Sequence, residues 1–384
     1  MGSLQDMIER VEGVGPLIEA DAERISEQRR LTPEVLDALR DIGVFRIARP
    51  SDHGGLELTP LETIKVLAAI SYHDGSTGWV SMICCDGEMY AGMCIDQGVI
   101  DELYGEPDQL TSGWMVPVGR AERVEGGFRV TGRWSFGSGI LHADRIVGGC
   151  MVTESGAVQS RPDGRPEYEA FFLPTDQVTI HDTWFTTGLT GTSSNDYSVD
   201  DVFVPANHRF DFFSDDVTRH PLSAYHGFVF AKLCAVPLGL LRRAVDEFIE
   251  FAETKMLVPS FQLAKTEYRV QFALGSAQAD LDAATAYVDR VMTDLWDAVT
   301  NGGLPTYEQR TALARMNVWV AQTAKAAIDR LCEEAGTMAS MRPNRMERIR
   351  RDATMVTHHV IGQQRVFATA GQMAFGTEGM FQPF

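Results

Sequence analysis

The sequence is short of positive charge. Its 34 lysine and arginine residues are outnumbered by 53 aspartate and glutamate residues, which gives a formal net charge of −19 at pH 7. Nucleic-acid binding depends on basic side chains that neutralise phosphates, so a chain this acidic argues against a nucleic-acid partner. The one basic cluster, residues 342–351, also contains an acidic residue.

The sequence also has no apolar run of the length that a membrane span requires. Its most apolar stretch, residues 228–241, is interrupted by Lys232 and Pro237 and is shorter than the roughly 20 residues of a spanning helix. The first nine residues carry charges and lack the apolar segment, followed by small residues, of a secretory signal. We therefore expect a cytoplasmic protein without a membrane partner.

Cysteine pairs and the common catalytic motifs are missing as well. The six cysteines form neither a CxxC pair nor a metal-finger spacing, which predicts reduced thiols and no metal site. Their positions are 84, 85, 94, 150, 234 and 332. The chain has no GxGxxG, GxxxxGK[ST], HExxH or GxSxG motif, which argues against the commonest nucleotide-binding, zinc-protease and hydrolase sites.

The sequence does contain an ordinary globular composition, with 44% apolar, 9% aromatic and 23% charged residues. At roughly 100–200 residues per domain, its length suggests about two or three domains. Residues 1–106 have mainly helical periodicity. Thr32-Pro33-Glu34 predicts a helix start, because a hydroxyl cap, a first-turn proline and an acidic side chain all favour one. A further helix is predicted from Trp79 to about residue 100, after a turn at residues 75–78.

Residues 107–215 have the alternating pattern of β-strands, with a hairpin turn at residues 125–127. One face of the second strand is predicted to carry Phe128, Val130, Gly132, Trp134 and Phe136. In residues 216–384 the apolar spacing returns to three and four, which predicts long helices over 274–295 and 313–331. The pattern therefore predicts an α+β protein with an N-terminal helical domain (1–106), a middle β domain (107–215) and a C-terminal helical bundle (216–384).

This order resembles the acyl-CoA dehydrogenase fold, in which the middle domain is a β-barrel or sandwich and the last is a four-helix bundle. Four segments look like its flavin-dependent monooxygenase branch: residues 75–80, residues 132–139, residues 184–205, and Arg351-Asp352 with His359 after them. The chain is similar to the oxygenase components that hydroxylate secosteroid phenols and p-hydroxyphenylacetate, and to dibenzothiophene monooxygenase.

The resemblance implies the oxygenase half of a two-component system. Reduced FMN or FAD would come from a separate NAD(P)H:flavin reductase and react with O2 to a C4a-hydroperoxide that hydroxylates a small aromatic substrate. A homotetramer is also implied. The FAD-dependent acyl-CoA dehydrogenases of the same fold, an N-oxygenating relative that acts on an amine, and a catalytically silent flavin-binding scaffold remain alternatives.

His359 is the residue that distinguishes the two branches. Many dehydrogenases of the family have a catalytic glutamate in a Tyr-Glu-Gly tripeptide just after the Arg-Asp motif, whereas this chain has His359-Val360-Ile361 there. The resemblance implies that His359 faces the flavin, where an unperturbed pKa of about 6.5 would let it exchange protons near neutrality. A histidine that only packs in the core, or lies exposed on a helix surface, would account for the same sequence. The dehydrogenase alternative would need Glu247 or Glu250 as its base.

The resemblance also implies a set of flavin-binding residues. They are Trp79, Ser112, Gly113, Trp114, Met115, Phe136, Ser138, Thr337, Met338 and Val360. Packing, an edge strand, a buried strand face and a helix-end turn are the structural alternatives for these positions. Phenol hydroxylases have a substrate-holding histidine where this chain has Cys84-Cys85-Asp86-Gly87, so the sequence leaves a phenolic substrate open.

Overall fold

The computed structural model describes residues 3–51, 54–85, 98–106, 108–162, 164–211, 220–258, 260–342, 344–375 and 377. Its first helices are α1 (Leu4–Gln28), α2 (Pro33–Asp41), α3 (Pro60–His73), α4 (Gly75–Cys84) and α5 (Val99–Tyr104). The predicted start of α2 is confirmed, because the Thr32 hydroxyl accepts from the backbone N–H of Val35 and Pro33 is the first helical residue.

Helix α4 begins four residues earlier than the sequence predicted. Residues 75–78 form its first turn instead of a turn before it, because the Asp74 carboxylate accepts a 2.8 Å hydrogen bond from the backbone N–H of Thr77 and caps the helix. Glycine at position 78 permits close packing, since a Cβ there would lie 2.0 Å from Ser71 Oγ of α3. Most of the remaining predicted helix, residues 86–97 with Asp86, Gly87 and Cys94, lies outside the described residues.

The middle of the chain forms one eight-stranded sheet. Its strands are β1 (Thr111–Val124), β2 (Gly127–Gly137), β3 (Arg145–Glu154), β4 (Ala157–Val158), β5 (Tyr168–Leu173), β6 (Thr179–His181), β7 (Asn195–Pro205) and β8 (Arg209–Phe210). The order is β6-β7-β2-β1-β3-β5-β8 with β4 paired to β3, and all pairs are antiparallel except β1 with β3. Val124 pairs with Gly127, so the predicted hairpin is confirmed.

Trp134 organises the core of the sheet. Its ring stacks on Tyr197 with centroids 5.3 Å apart, and its indole N–H donates to the carbonyl of Gly149. The ring lies against three glycines, at 119, 132 and 148, where an added Cβ would come within 2.4–2.7 Å of it. Glycines here let the strands approach a large buried aromatic ring, and this packing holds β1, β2 and β3 in register.

The C-terminal part is helical. It contains α6 (Gly227–Ala231), α7 (Ala235–Thr254), α8 (Tyr268–Thr300), α9 (Tyr307–Ala335), α10 (Arg345–Val356) and α11 (Arg365–Ala374), with a small hairpin of β9 (Met256–Leu257) and β10 (Gln262–Leu263) between α7 and α8. The two predicted long helices are confirmed as α8 and α9. Most of the apolar side chains that recur at this spacing on α8 are buried, because this face of the helix packs against α7 and α9.

The helices at both ends of the chain share one hydrophobic core that runs from α1 to the segment after α10. A group of partly buried ion pairs ties them together, with Glu19 of α1 paired to Arg243 of α7 at 2.7 Å and to Arg345 of α10 at 3.0 Å.

The domain boundaries at residues 106/107 and 215/216 stay a prediction. Across the described residues, no helix is both long enough and apolar enough to span a membrane.

Candidate active site

Three of the predicted site residues meet where α4, the sheet and the end of α10 come together. Trp79 is buried on α4, and its indole N–H donates to Ser138 Oγ at 3.0 Å. The Trp79 ring also lies edge-on to the His359 imidazole, with centroids 5.4 Å apart. Residues that are distant in sequence therefore form one cluster, which we call the Trp79 cluster: Trp79, Ser138 and His359.

His359 is half-buried in the turn that follows α10. Its backbone N–H donates to the carbonyl of Val356, and its own carbonyl accepts from Gly362, which holds the turn closed. Desolvation by the surrounding protein lowers its pKa to about 4, below the range near neutrality in which the resemblance would have it exchange protons. His359 Nδ1 accepts from the backbone N–H of Ile361 at 3.4 Å. The neutral ring therefore carries its proton on Nε2 and offers a hydrogen-bond donor.

The segment from Ser112 to Met115 lies in β1, as the resemblance implied. Gly113 has a φ of +137° and lies so close to β3 that a Cβ would be 2.0 Å from the carbonyl oxygen of Val147. The Trp114 backbone N–H donates to the Tyr197 hydroxyl at 2.8 Å rather than to a neighbouring strand. Met115 is half-buried against the helical core. The ladder between β1 and β3 shifts register just after Trp114, which leaves this stretch of main chain irregular.

Phe136 departs from the predicted strand alternation. Its φ of +64° lies in the left-handed region and the pairing of β2 with β7 shifts nearby, so the ring does not join Trp134 on the buried face. The side chain is 57% exposed. It stands edge-on to Trp114 and Trp184, with centroid distances of 5.7 and 6.4 Å. A strained backbone that turns an aromatic ring outward is typical of a ligand contact.

The loop that ends in Thr192 was named in the sequence only as part of a family segment. In the structure Asp352 of α10 accepts a 2.6 Å hydrogen bond from the backbone N–H of Leu189, and the Arg351 side chain donates to the carbonyl of Thr187. Burial, together with the nearby carboxylate of Asp74, raises the pKa of Asp352 to about 7. The Arg-Asp pair is thus a contact between α10 and the loop that joins β6 to β7, which spacing alone could not show.

Two predicted residues lie apart from the Trp79 cluster. Thr337 and Met338 are exposed in a short 3-10 turn, residues 336–340, at the end of α9. Val360 is half-buried beside His359 and packs against the helical core. Within one chain, then, the structure gathers the residues predicted on α4, β1, β2 and the turn after α10, but not those at the end of α9.

The carboxylates required by the dehydrogenase alternative have other surroundings. Glu247 accepts hydrogen bonds from Arg243 at 2.9 Å and from Arg345 at 2.8 Å, and Glu250 is exposed on α7.

A groove of about 630 Å³ lies between α9 and the turn after α10, lined in part by Thr357 and Lys325. Within the described part of the chain, no group of three or more His, Cys, Asp or Glu residues is placed to hold a metal ion.

Comparison with known proteins identifies the family and the fold. Residues 231–364 match the family model described as acyl-CoA dehydrogenase, C-terminal domain. The chain is 31% identical to indole-3-acetate monooxygenase of Pseudomonas putida over 377 residues, covering 95% of this chain and 94% of that one. It is 29% identical to the oxygenase subunit HsaA of a flavin-dependent monooxygenase of Mycobacterium tuberculosis, covering 97% and 96%. The crystal structure of the 3-HSA hydroxylase from Rhodococcus sp. RHA1 superposes with a TM-score of 0.89 at 26% identity, covering 98% of each chain.

Proposed function

Because the chain belongs to the flavin-dependent monooxygenases with the acyl-CoA dehydrogenase fold, we propose that it inserts one oxygen atom of O2 into a small aromatic substrate. Its relatives include an indole-3-acetate monooxygenase, which supports an aromatic substrate. One observation carries the proposal: a neutral imidazole, His359, lies against Trp79 at the position where many dehydrogenases of this fold have their catalytic glutamate.

The residues present fit a flavin. A planar ring system needs apolar surface on its faces and polar groups at its edge. The exposed ring of Phe136 with Trp114 and Trp184 beside it supplies apolar surface, and the close approach of β1 at Gly113 brings main chain to the same region. Ser112 and Ser138 supply polar atoms. We propose that these residues hold the flavin ring.

When bound, reduced flavin supplies the two electrons that reduce one oxygen atom of O2 to water while the other enters the substrate. His359 serves this chemistry as a hydrogen-bond donor, because its proton is on Nε2 and its pKa of about 4 keeps the ring neutral. Such a donor stabilises an oxygen on which negative charge develops. The buried Trp79 packs beside the imidazole and keeps water from it.

The names of two relatives, an oxygenase subunit of a flavin-dependent monooxygenase and the oxygenase component of an FADH2-dependent resorcinol hydroxylase, support a separate source of reduced flavin. We propose a separate NAD(P)H:flavin reductase as its functional partner and the cytoplasm, where NAD(P)H is available, as its location.

The reaction can be tested with ¹⁸O2. We expect the protein, supplied with reduced FMN or FAD by any flavin reductase, to convert at least one member of a panel of indoles, phenols and aromatic acids into a product that carries one ¹⁸O atom. Mass spectrometry detects the label. Oxidised flavin that is bleached by acyl-CoA thioesters, with no labelled product from the panel, would favour the dehydrogenase alternative.

We also propose a homotetramer, because the structure leaves a large apolar surface open. Val258, Phe261, Tyr268 and Phe272, on the β9–β10 hairpin and the first turns of α8, are 60–81% exposed. Exposed apolar side chains of this size, grouped along one short segment of the chain, are typical of contact surfaces between proteins. A neighbouring copy that covers them would also explain why Thr337 and Met338 lie on the surface, since they would reach the flavin of another subunit.

Charge placed on this surface should break the assembly. We expect Phe272→Asp to yield dimers or monomers in light scattering after gel filtration, because an unpaired carboxylate in an apolar contact is costly. Val158→Asp is the matched control, since Val158 is a similarly exposed apolar side chain on β4. A wild-type protein that runs as a monomer would refute the tetramer.

A further inference from the structure

A buried chain of hydrogen bonds leads away from the Trp79 cluster. The Trp79 indole N–H lies 3.0 Å from Ser138 Oγ, and Ser138 Oγ lies 2.8 Å from Ser194 Oγ. Ser194 Oγ is 2.7 Å from Thr192 Oγ1, which lies 2.9 Å from the carbonyl oxygen of Leu189. All four side chains are at least nine-tenths buried. Neither Ser194 nor Thr192 was among the predicted site residues.

The two ends of this chain determine the direction of every hydrogen bond in it. A carbonyl oxygen only accepts, so the single hydroxyl hydrogen of Thr192 is directed at Leu189. Thr192 must then accept from Ser194, and Ser194 must accept from Ser138. The indole N–H of Trp79 only donates, which fits the same direction. Reversing the chain would bring two oxygens to 2.9 Å with no hydrogen between them.

The Leu189 end is held firmly. Its carbonyl also accepts from the indole N–H of Trp184 at 3.0 Å, and its own N–H donates to the Asp352 carboxyl group. The preceding residue is just as constrained, because a Cβ at Gly188 would lie 2.2 Å from the carbonyl oxygen of Arg351. Helix α10 therefore fixes the acceptor from which the direction of the chain follows.

Two other donors near the Trp79 cluster, the Ser112 hydroxyl and the Trp114 backbone N–H, are committed in the same way, whereas the Nε2 proton of His359 is not. The Ser112 hydroxyl donates to the carbonyl of Ser138 at 2.8 Å. The backbone N–H of Trp114 donates to the Tyr197 hydroxyl, whose own hydrogen is directed at the carbonyl of Val147 at 2.6 Å. The Ser112 and Ser138 hydroxyls can therefore act toward a ligand only as hydrogen-bond acceptors, through a remaining lone pair.

We propose that Thr192 and Ser194 are positioning residues, which hold the Ser138 hydroxyl as a hydrogen-bond acceptor toward the flavin, so that the site binds reduced flavin in preference to oxidised flavin. Reduction converts a ring nitrogen of flavin from an acceptor into an N–H donor, and an acceptor in the protein matches only the reduced form. The inference rests on the proposed placement of flavin at the Trp79 cluster. It gives the oxygenase a means to capture reduced flavin and to release the oxidised product.

The test is the ratio of two dissociation constants, for oxidised flavin and for anaerobically reduced flavin, measured by titration without turnover. We expect the wild-type protein to bind reduced flavin more tightly. In Thr192→Val, Ser194 loses the hydroxyl group that accepts its hydrogen. The Ser194 hydroxyl then donates to Ser138 instead, which leaves the Ser138 hydrogen free to donate to the flavin. The preference should then fall by about tenfold, the equivalent of one hydrogen bond. Ser194→Ala should have the same effect, and Thr192→Ser, which keeps the hydroxyl, should restore the preference.

The matched control is Thr186→Val, the same substitution in the same loop. Thr186 Oγ1 donates to the carbonyl of Gly188 at 3.0 Å and does not belong to the chain, so its removal should leave the ratio unchanged. Equal binding of the two redox states by the wild type, or an unchanged ratio in folded Thr192→Val and Ser194→Ala proteins, would overturn the inference. A wild-type protein that binds flavin in neither state would instead count against the proposed function.

Discussion

Replacing His359 by leucine, which has no hydrogen-bond donor, should lower the rate of product formation by about 100-fold at saturating reduced flavin, with the lost turnovers appearing as hydrogen peroxide. The neutral imidazole offers a donor from Nε2 in a site that Trp79 shields from water, and removal of one such donor typically costs a factor of 10²–10³ in rate. Product by chromatography and peroxide by a coupled assay, measured in the same reaction, separate lost oxygenation from lost flavin.

The neighbouring histidine is a matched control for this experiment. His358 is exposed, and its carbonyl, which accepts from Gln363, is unaffected by a side-chain change. His358→Leu should therefore keep the wild-type ratio of product to peroxide. If both variants retained full coupling, His359 would have no part in the reaction.

The low pKa of His359 has its own consequence for stability. Between pH 6.5 and about 4 the unfolded chain binds a proton at this position that the folded protein does not, so the stability contributed there is present above pH 6.5 and is lost as the pH falls. Relative to His359→Gln, wild-type protein should lose about 2 kcal/mol of unfolding free energy between pH 7 and pH 5. Urea titrations at the two pH values measure this, and a constant difference would mean that the ring is not desolvated.

Replacing Gly113 by alanine should destabilise the protein by roughly 3–5 kcal/mol and abolish flavin binding. The backbone has a φ of +137°, and the new Cβ would lie 2.0 Å from the carbonyl oxygen of Val147, so β1 and β3 would have to separate beside the Trp79 cluster. Thermal unfolding with and without reduced flavin tests both effects.

The control is a glycine that also has a positive φ but has open space where a Cβ would be added. Gly156 has a φ of +81° and no atom within 4 Å of an added Cβ, so Gly156→Ala should cost only about 1–2 kcal/mol, from backbone strain alone. Equal costs at the two positions would mean that the contact between β1 and β3 is looser than the structure shows.

Local sequence was sufficient wherever neighbouring residues form the structure. The cap at Thr32 and the hairpin at residues 125–127 depend on residues a few positions apart. The buried faces of α8 and α9 depend on the helical spacing of their apolar residues. The order of four segments also indicated the family, which the relatives confirm. The helix start at Gly75 was missed because the Gly-Ser-Thr-Gly segment was interpreted as a turn, whereas the capping residue is Asp74, just before it.

The site, in contrast, depends on contacts between distant parts of the chain. Sequence pointed to Trp79, Ser138 and His359, but it could not show that desolvation keeps the imidazole neutral or that Phe136 leaves its predicted face. The direction of the hydroxyl chain is set by Leu189, which is held in turn by Asp352 of α10, far away in the sequence. Periodicity and motifs record which residues can form an element, whereas burial, protonation and hydrogen-bond direction arise only when the folded elements meet.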